Sequence, residues 1–221
     1  VQGDDMSPNG YYGRYIMDDE TTIQFMCYPH SKFGKSDFAD ITQCYNYNKS
    51  LVNTTLVVPS YVELEGKTYK VEGAILINEG GKVEPNIGRY ILPSTIKRIN
   101  LAGWSELKEV VLSEGIEEIT QRAFRYCVDL ESIVMPNTLK KIGKLAFENC
   151  RSLKKIRIPA SVVDVCDGGA FVGLEKGVTI EVEKGCEALK DLKPIKVDIR
   201  GSYGYEHYEF NPDDINIVYV E

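Results

Sequence analysis

The chain has 221 residues, of which 43% are hydrophobic and 27% charged, a composition typical of an ordinary folded domain. Its net charge of −7 argues against a general nucleic-acid binder, because phosphate recognition requires a basic surface. No apolar run approaches the roughly 18 residues that cross a bilayer, so we expect no transmembrane segment. The first residues lack the pattern of a secretory signal, so an exported protein would have lost its signal peptide before Val1.

Residues 1–54 share no period with the rest of the chain and are rich in aromatic and β-branched side chains. Two such runs, 11–17 and 21–26, flank an acidic triplet at 18–20, a pattern that predicts a β-hairpin. We interpret 1–54 as a β-rich N-terminal cap, because an uncapped repeat array would expose its core and strand edges.

The central part of the chain carries a repeat. Phe124, Phe147 and Phe171 are 23 and 24 residues apart, and each follows an alanine. Aliphatic segments that end in proline, such as 133–136 and 156–159, recur with the same spacing. Such a period is typical of a solenoid, in which each unit buries its apolar side by stacking on the next. We therefore predict an α/β solenoid with its repeats over residues 55–183.

Two units depart from this period. The prolines that end the aliphatic steps at 56–59 and 90–93 are 34 residues apart, and two alternating runs predict a β-hairpin inserted over 62–71. The unit from Pro93 to Ser113 spans only 20 residues. In that shortened unit, Trp104 occupies the position that cysteine takes in the next two units.

Inward and outward positions can be assigned within one unit. Leu130, Ile133 and Met135 alternate as in a short strand, which Pro136 ends because proline cannot continue a hydrogen-bonded ladder. The apolar residues that follow are spaced by three and four, which predicts one or two short helical or 3₁₀ turns. They are Leu139, Ile142, Ala146, Phe147, Cys150 and Leu153.

The period stops near residue 184. The runs 195–199 and 215–220 predict strands, and we interpret 184–221 as a β-rich C-terminal cap.

The six cysteines do not form the pattern of a small disulfide-rich domain. Cys127 and Cys150 hold equivalent apolar positions, so we expect buried free thiols. Packed coils lie about 8–10 Å apart, whereas a disulfide needs Cα atoms within about 7 Å. For Cys27 and Cys44, outside the repeats, both a disulfide and two free thiols remain open.

One full unit combines the aliphatic–proline step with a set of spaced apolar positions. These are Leu130, Ile133, Val134, Met135, Leu139, Ile142, Gly143, Ala146, Phe147 and Cys150. The arrangement resembles the BspA-like leucine-rich repeat, and the resemblance covers about residues 55–190. It implies a right-handed leucine-rich repeat superhelix with short parallel strands and short helical or 3₁₀ turns.

Proteins similar to these are typically exported by anaerobic gut and oral bacteria and some mucosal parasites, and are associated with adhesion. The resemblance therefore implies a noncatalytic scaffold, extracellular or on the outer cell surface. It implies a protein or glycan ligand, with host molecules among the options.

The outward strand positions of successive units are candidate binding residues. In an arc-shaped solenoid this surface is concave, and concave arrays are where such scaffolds bind partners. The predicted contact residues are Val111, Val134, Lys155, Arg157 and Glu181.

A basic run over 140–157 suggests an anionic ligand, but the repeat arithmetic offers a structural alternative. Lys140 is equivalent to Glu117 and Lys97, and charges of alternating sign in such columns let neighbouring coils pair. Further columns are Arg98, Glu118, Lys141 and Asp164, and Lys108, Glu131 and Lys154. Lys144, Lys155 and Arg157 remain unpaired by these columns and are better ligand candidates.

The sequence contains two histidines and none of the common catalytic or phosphate-binding motifs, so we expect no enzyme, no metal site and no cofactor. Two alternatives stay open beside the binding module. One is a structural component of a bacterial envelope that packs through its strand face. The other is a hydrolase that uses Cys27 with His30 or His207. We favour a monomer.

Overall fold

The computed structural model describes residues 2–7, 10–16, 22–29, 38–46, 54–64, 66–76, 87–201 and 204–221. Within these ranges the regular structure consists of β-strands and two short 3₁₀ segments, and it includes no α-helix. The same part of the chain contains no helix long and apolar enough to span a bilayer.

The N-terminal strands form an antiparallel meander of β1 (Gln2–Ser7), β2 (Gly10–Ile16), β3 (Thr22–Pro29) and β4 (Phe38–Asn46). Strands β2 and β3 pair as the runs beside the acidic triplet predict, and the triplet itself lies outside the described residues. The side chains of Cys27 and Cys44 also lie outside the part of the chain that the structure describes, so a disulfide between them stays a hypothesis.

The next strands are β5 (Thr54–Val57), β6 (Tyr61–Leu64) and β7 (Lys67–Ile75). Strand β6 pairs antiparallel with β7, where the sequence predicts a hairpin, and it meets β1 at Gln2 and Glu63. Because β4 also pairs with β7, the strands close into a ring in the order β7, β4, β3, β2, β1, β6.

The repeats contribute to two parallel ladders. The first ladder is a row of strands: β5, β8 (Ile87–Ile91), β10 (Glu109–Val111), β12 (Ser132–Val134), β14 (Lys155–Ile158), β15 (Thr179–Glu183) and β18 (Asn216–Val220). Within this row β8 lies beside β10 and β12 lies beside β14, and the other neighbours are paired by parallel hydrogen bonds. The second ladder runs through β7, β9 (Arg98–Asn100), β11 (Glu118–Ile119) and β13 (Lys141–Ile142), and then reaches Asp164 by a single bridge. Each coil crosses both ladders, which confirms the predicted solenoid.

The short turns predicted over 139–153 are present as single turns closed by hydrogen bonds between residues three apart, and they do not continue into a helix. Ile142 lies in strand β13, and the residues after it form hydrogen-bonded turns. Leu145 and Asn149 adopt positive φ angles of 56° and 60°, which interrupts any helix within one turn. A 3₁₀ segment does occur in the longer unit, at Cys166–Phe171, and there Asp167 and Gly168 have positive φ angles.

The repeating phenylalanines lie in one core, as predicted. Phe124 and Phe147 are fully buried, and their rings stack with centroids 5.7 Å apart and planes 2° apart. Phe171 is also buried, and its ring centroid lies 6.3 Å from that of Phe210. The apolar core is therefore continuous across the coils and includes a residue from beyond the periodic region.

Trp104, Cys127 and Cys150 share a buried slot, as their spacing predicts, but the slot also has a polar role. The Trp104 indole Nε1 donates to the Leu76 carbonyl at 2.5 Å. The Cys127 and Cys150 thiols donate to main-chain carbonyls of the preceding coil at 3.1 and 3.0 Å. The side chain at this position therefore donates a hydrogen bond to a main-chain carbonyl that would otherwise be buried without a partner.

The C-terminal residues form β16 (Ile195–Gly201) and β17 (Gly204–Phe210), an antiparallel hairpin, followed by the 3₁₀ segment Pro212–Asp214 and β18. Strand β18 pairs parallel with β15, so the first ladder continues into the segment predicted as a cap. Gly168 fits this packing, because a Cβ there would lie 3.0 Å from the Phe210 ring.

Candidate binding surface

The outer face of the first ladder collects the predicted contact residues. Val111 lies in register with Val134, and Arg157 lies in register with Glu181. Lys155 lies two residues before Arg157 on the same face of β14, and the residues that alternate with them point into the core. The structure brings all five residues to one face, and their contact with a ligand stays a prediction.

Lys155 and Arg157 have partners, contrary to the prediction that they are unpaired. Lys155 Nζ lies 3.2 Å from Glu181 Oε1, and Arg157 Nε lies 2.9 Å from Glu183 Oε1. Glu183 Oε2 also accepts from the Ala160 amide at 3.1 Å. The acidic residues on β15 therefore offset much of the positive charge on β14.

Four aliphatic residues in the earlier rungs of the same ladder form an apolar strip: Val57, Ile91, Val111 and Val134, with 39%, 44%, 40% and 52% of their surface exposed. Val57 pairs with Ile91 in register, and β8 lies beside β10. Sequence reasoning identified only the last two members. Val57 and Ile91 carried a usable signal, since each stands two residues before the proline of an aliphatic–proline step.

Acidic residues border the apolar strip. Glu109 lies on the same face of β10 as Val111, two residues earlier, and its side chain is exposed. Glu106 and Asp129 are exposed on the turns that precede β10 and β12. Beyond the strip, the outward position holds Arg157 and then Glu181, and in the last rung it holds Val218, which is again exposed, so the charged rungs interrupt the apolar column.

The charge columns beside the second ladder are present in part. Lys97 Nζ lies 3.1 Å from Glu117, and Lys141 Nζ lies 3.6 Å from Asp164. Arg98 departs from the expected pairing with Glu118, because its guanidinium contacts the Asp40 carboxylate at 3.0 Å. These pairs hold neighbouring coils in register, which supports the structural interpretation of the basic run.

Glu148, the acidic residue within the basic run, is buried, with 2% of its surface exposed. Its Oε2 lies 3.5 Å from Arg122 Nε and 3.0 Å from Arg125 Nε. Its Oε1 accepts a hydrogen bond from the Tyr208 hydroxyl at 2.8 Å. Glu148 thus joins two coils to strand β17, and only its place beside the buried Phe147 hinted at this role.

The described side chains suggest no catalytic centre. Burial raises the pKa of the Cys127 thiol to about 12, and burial together with the nearby Cys127 raises the pKa of Cys150. The thiolate needed for nucleophilic attack is therefore scarce at neutral pH. His207 Nδ1 lies 2.7 Å from Asp198 on the exposed β16–β17 hairpin. The side chains of Cys27 and His30 lie outside the described residues.

No group of three or more histidine, cysteine, aspartate or glutamate side chains among the described residues could hold a metal ion.

The two ladders and the stacked phenylalanines define a solenoid of stacked repeats. Residues 86–192 match the BspA type leucine rich repeat region in six copies. These residues, slightly less than half of the chain, are therefore similar to BspA-type repeats. A comparison with curated proteins gives no match.

Solved structures of bacterial repeat proteins resemble the chain. A leucine-rich repeat protein from Bacteroides ovatus has a TM-score of 0.51 and 21% identity, over 79% of this chain and 50% of that protein. The leucine-rich repeat protein of T. pallidum has a TM-score of 0.44 and 22% identity, over 80% of this chain and 77% of that protein. At 21% identity the likeness to the Bacteroides protein concerns the fold alone, and the chain spans half the length of that protein.

Proposed function

We propose that the chain is a noncatalytic binding module, secreted or displayed at a cell surface, that recognises a protein or a glycan. One observation carries the proposal: the outward side chains of consecutive rungs form a single exposed face on a ladder whose inward side chains are buried. The proposed contact residues are Val111, Val134, Lys155, Arg157 and Glu181.

We infer a location outside the cell from the BspA-type repeats, because proteins with similar repeats are typically exported. We retain the division into 1–54, 55–183 and 184–221 as a proposal for the N-terminal cap, the repeats and the C-terminal cap. The proposed module acts as a monomer whose ligand is a protein or a glycan.

Arrays of glycans and extracellular-matrix proteins test this proposal with the purified full chain and two matched variants. Val134→Glu places a charge on the first ladder, whereas Val163→Glu places the same charge at a side chain that is 73% exposed and lies beside the second ladder. We expect Val134→Glu to weaken a captured ligand by about tenfold or more, and Val163→Glu to leave it unchanged. Ligands affected equally by both variants would argue against the strand face.

A second candidate is a structural component that packs against another envelope protein or another copy through the same face. The exposed valines favour it, because isolated monomers gain nothing from exposed apolar side chains in a row. Sedimentation equilibrium distinguishes the two. A stable oligomer that dissociates on Val134→Glu, but not on Val163→Glu, would favour the assembly role.

A further inference from the structure

We propose that the apolar strip of Val57, Ile91, Val111 and Val134 binds an extended segment of a partner protein that carries aliphatic side chains next to a basic residue. The inference rests on the proposed function and narrows it from any ligand of the strand face to one class of protein ligand.

The fold itself does not require aliphatic residues at these positions. In the later rungs of the ladder the equivalent outward positions hold Arg157 and Glu181, so a charged side chain is compatible with the coil. The four aliphatic residues are nevertheless 39–52% exposed. Apolar side chains that stay exposed in a contiguous row, where charged residues would fit, are typical of a contact surface.

The dimensions of the strip indicate a linear occupant. It is one side chain wide and crosses four neighbouring strands, which places its ends about 14 Å apart at ~4.8 Å per strand. An extended chain covers that length with about four to five residues at ~3.3 Å per residue. Its half-exposed side chains present on the order of 300 Å² of apolar surface, well below the roughly 800 Å² per partner of a stable dimer.

The charged residues beside the strip indicate the sign of the charge that the bound segment carries. Glu109 is exposed on the same face of β10 as Val111, and Glu106 and Asp129 are exposed on the adjoining turns. Lys108 is also exposed, directly before Glu109, whereas Lys155 and Arg157 in the later rungs already face Glu181 and Glu183 at 3.2 and 2.9 Å. A segment with a lysine or arginine beside its aliphatic residues is thus complementary here, whereas an anionic glycan is not.

Selection of random dodecapeptides displayed on phage against the full chain tests the inference. Selected peptides are then synthesised and titrated by fluorescence anisotropy against the wild type and four variants. Val111→Glu and Val134→Glu alter the strip, Glu109→Lys reverses its border, and Val163→Glu is the matched control. Thermal unfolding monitored by circular dichroism verifies that each variant folds.

The inference predicts enrichment of peptides with aliphatic and basic residues. We expect each change in the strip to raise their Kd by about tenfold or more, and Glu109→Lys to raise it severalfold. We expect Val163→Glu to leave the Kd unchanged.

Three other results would overturn the inference. In the first, Lys155→Ala and Arg157→Ala weaken the binding of the selected peptides or of heparin fragments. The strand face would then remain the binding surface, but the apolar strip would not be the site. A dimer that dissociates on Val134→Glu would show that a second copy covers the strip. Peptides insensitive to every substitution on the first ladder would overturn this inference and the proposed function together.

Discussion

Asp40 and Arg98 lie on strands that are not neighbours, yet Arg98 Nη2 donates to both Asp40 carboxylate oxygens, at 3.0 and 3.1 Å. Strand β7 lies between β4 and β9, and its Gly73 is in register with both residues. A Cβ at Gly73 would lie 2.0 Å from Asp40 Oδ1. The ion pair therefore crosses the middle strand because that strand has no side chain there.

Gly73→Ala should break this contact. The new methyl group would displace the Asp40 carboxylate, which is short and held by Arg98, and we expect a loss of about 1–3 kcal/mol in the free energy of unfolding. Urea unfolding measures the loss. Gly169→Ala is the control, because the nearest atom to a Cβ there is Lys144 Cγ at 3.2 Å, in a side chain that can move.

A double-mutant cycle separates this mechanism from a general intolerance of alanine in β7. In an Asp40→Ala background, Gly73→Ala should cost less than in the wild type, because the carboxylate it would displace is gone. Equal costs in both backgrounds would contradict the proposed crossing.

Glu148→Ala should be among the most destabilising changes in the chain. It removes the carboxylate that lies between Arg122 and Arg125 and accepts from Tyr208, and breaking such a buried charge network costs about 3–5 kcal/mol. Tyr208→Phe removes a single hydrogen bond and should cost about 0.5–1.5 kcal/mol. Tyr205→Phe, at a side chain with 70% exposure, is the control and should be neutral. A Glu148→Ala protein as stable as the wild type would refute the role of Glu148 in joining β17 to the coils.

The buried thiols predict a loss of stability in alkali. The pKa of Cys127 lies near 12 in the folded chain, above its ordinary value of 9.0, so between these values the unfolded chain loses the proton first. Each such thiol lowers the free energy of unfolding by about 1.4 kcal/mol per pH unit in that range, and the loss is absent below it. Urea unfolding at about pH 8 and about pH 10 measures this slope.

Cys127→Ala and Cys127→Ser should both flatten the alkaline loss of stability, because neither side chain titrates there. The serine variant retains a donor for the Leu101 carbonyl, so we expect it to differ from alanine at neutral pH but not in slope. A Cys127→Ala protein with the wild-type slope would assign the alkaline loss to other groups.

Phe147→Ala should cost about 3–5 kcal/mol, because it removes a buried ring from the stack with Phe124 and leaves a cavity. Val134→Ala, at an exposed position of the same coil, should cost less than about 0.5 kcal/mol. Thermal and urea unfolding measure both. Similar losses for the two variants would mean that the phenylalanine stack is not the centre of the core.

The periodic part of the fold could be predicted because each coil repeats one pattern of buried residues. The shared positions of Phe124 and Phe147, and the slot of Trp104 and Cys127, follow from spacing alone. The short turns were predictable as well, but apolar steps of three and four do not reveal that Leu145 adopts a positive φ angle, which keeps these turns from continuing as a helix.

What the sequence could not supply are contacts between segments with no common period. Arg98 has a spacing partner in Glu118, yet it contacts Asp40 across 58 positions of the chain. Glu148 has the composition of a surface residue, and only the folded path of β17 brings Tyr208 to it. The face of Val111 and Val134 was predictable from alternation. Lys155 and Arg157, however, pair with acidic residues two positions beyond their register partners on β15, which no charge column indicated.

Strand β7 belongs to the closed N-terminal ring through its pairing with β6 and β4, and to the second ladder through its pairing with β9. The backbone of this one strand is thus hydrogen-bonded both to the ring and to the second ladder. A force between the ring and the coils is therefore carried by the backbone hydrogen bonds of β7 and not by a flexible linker.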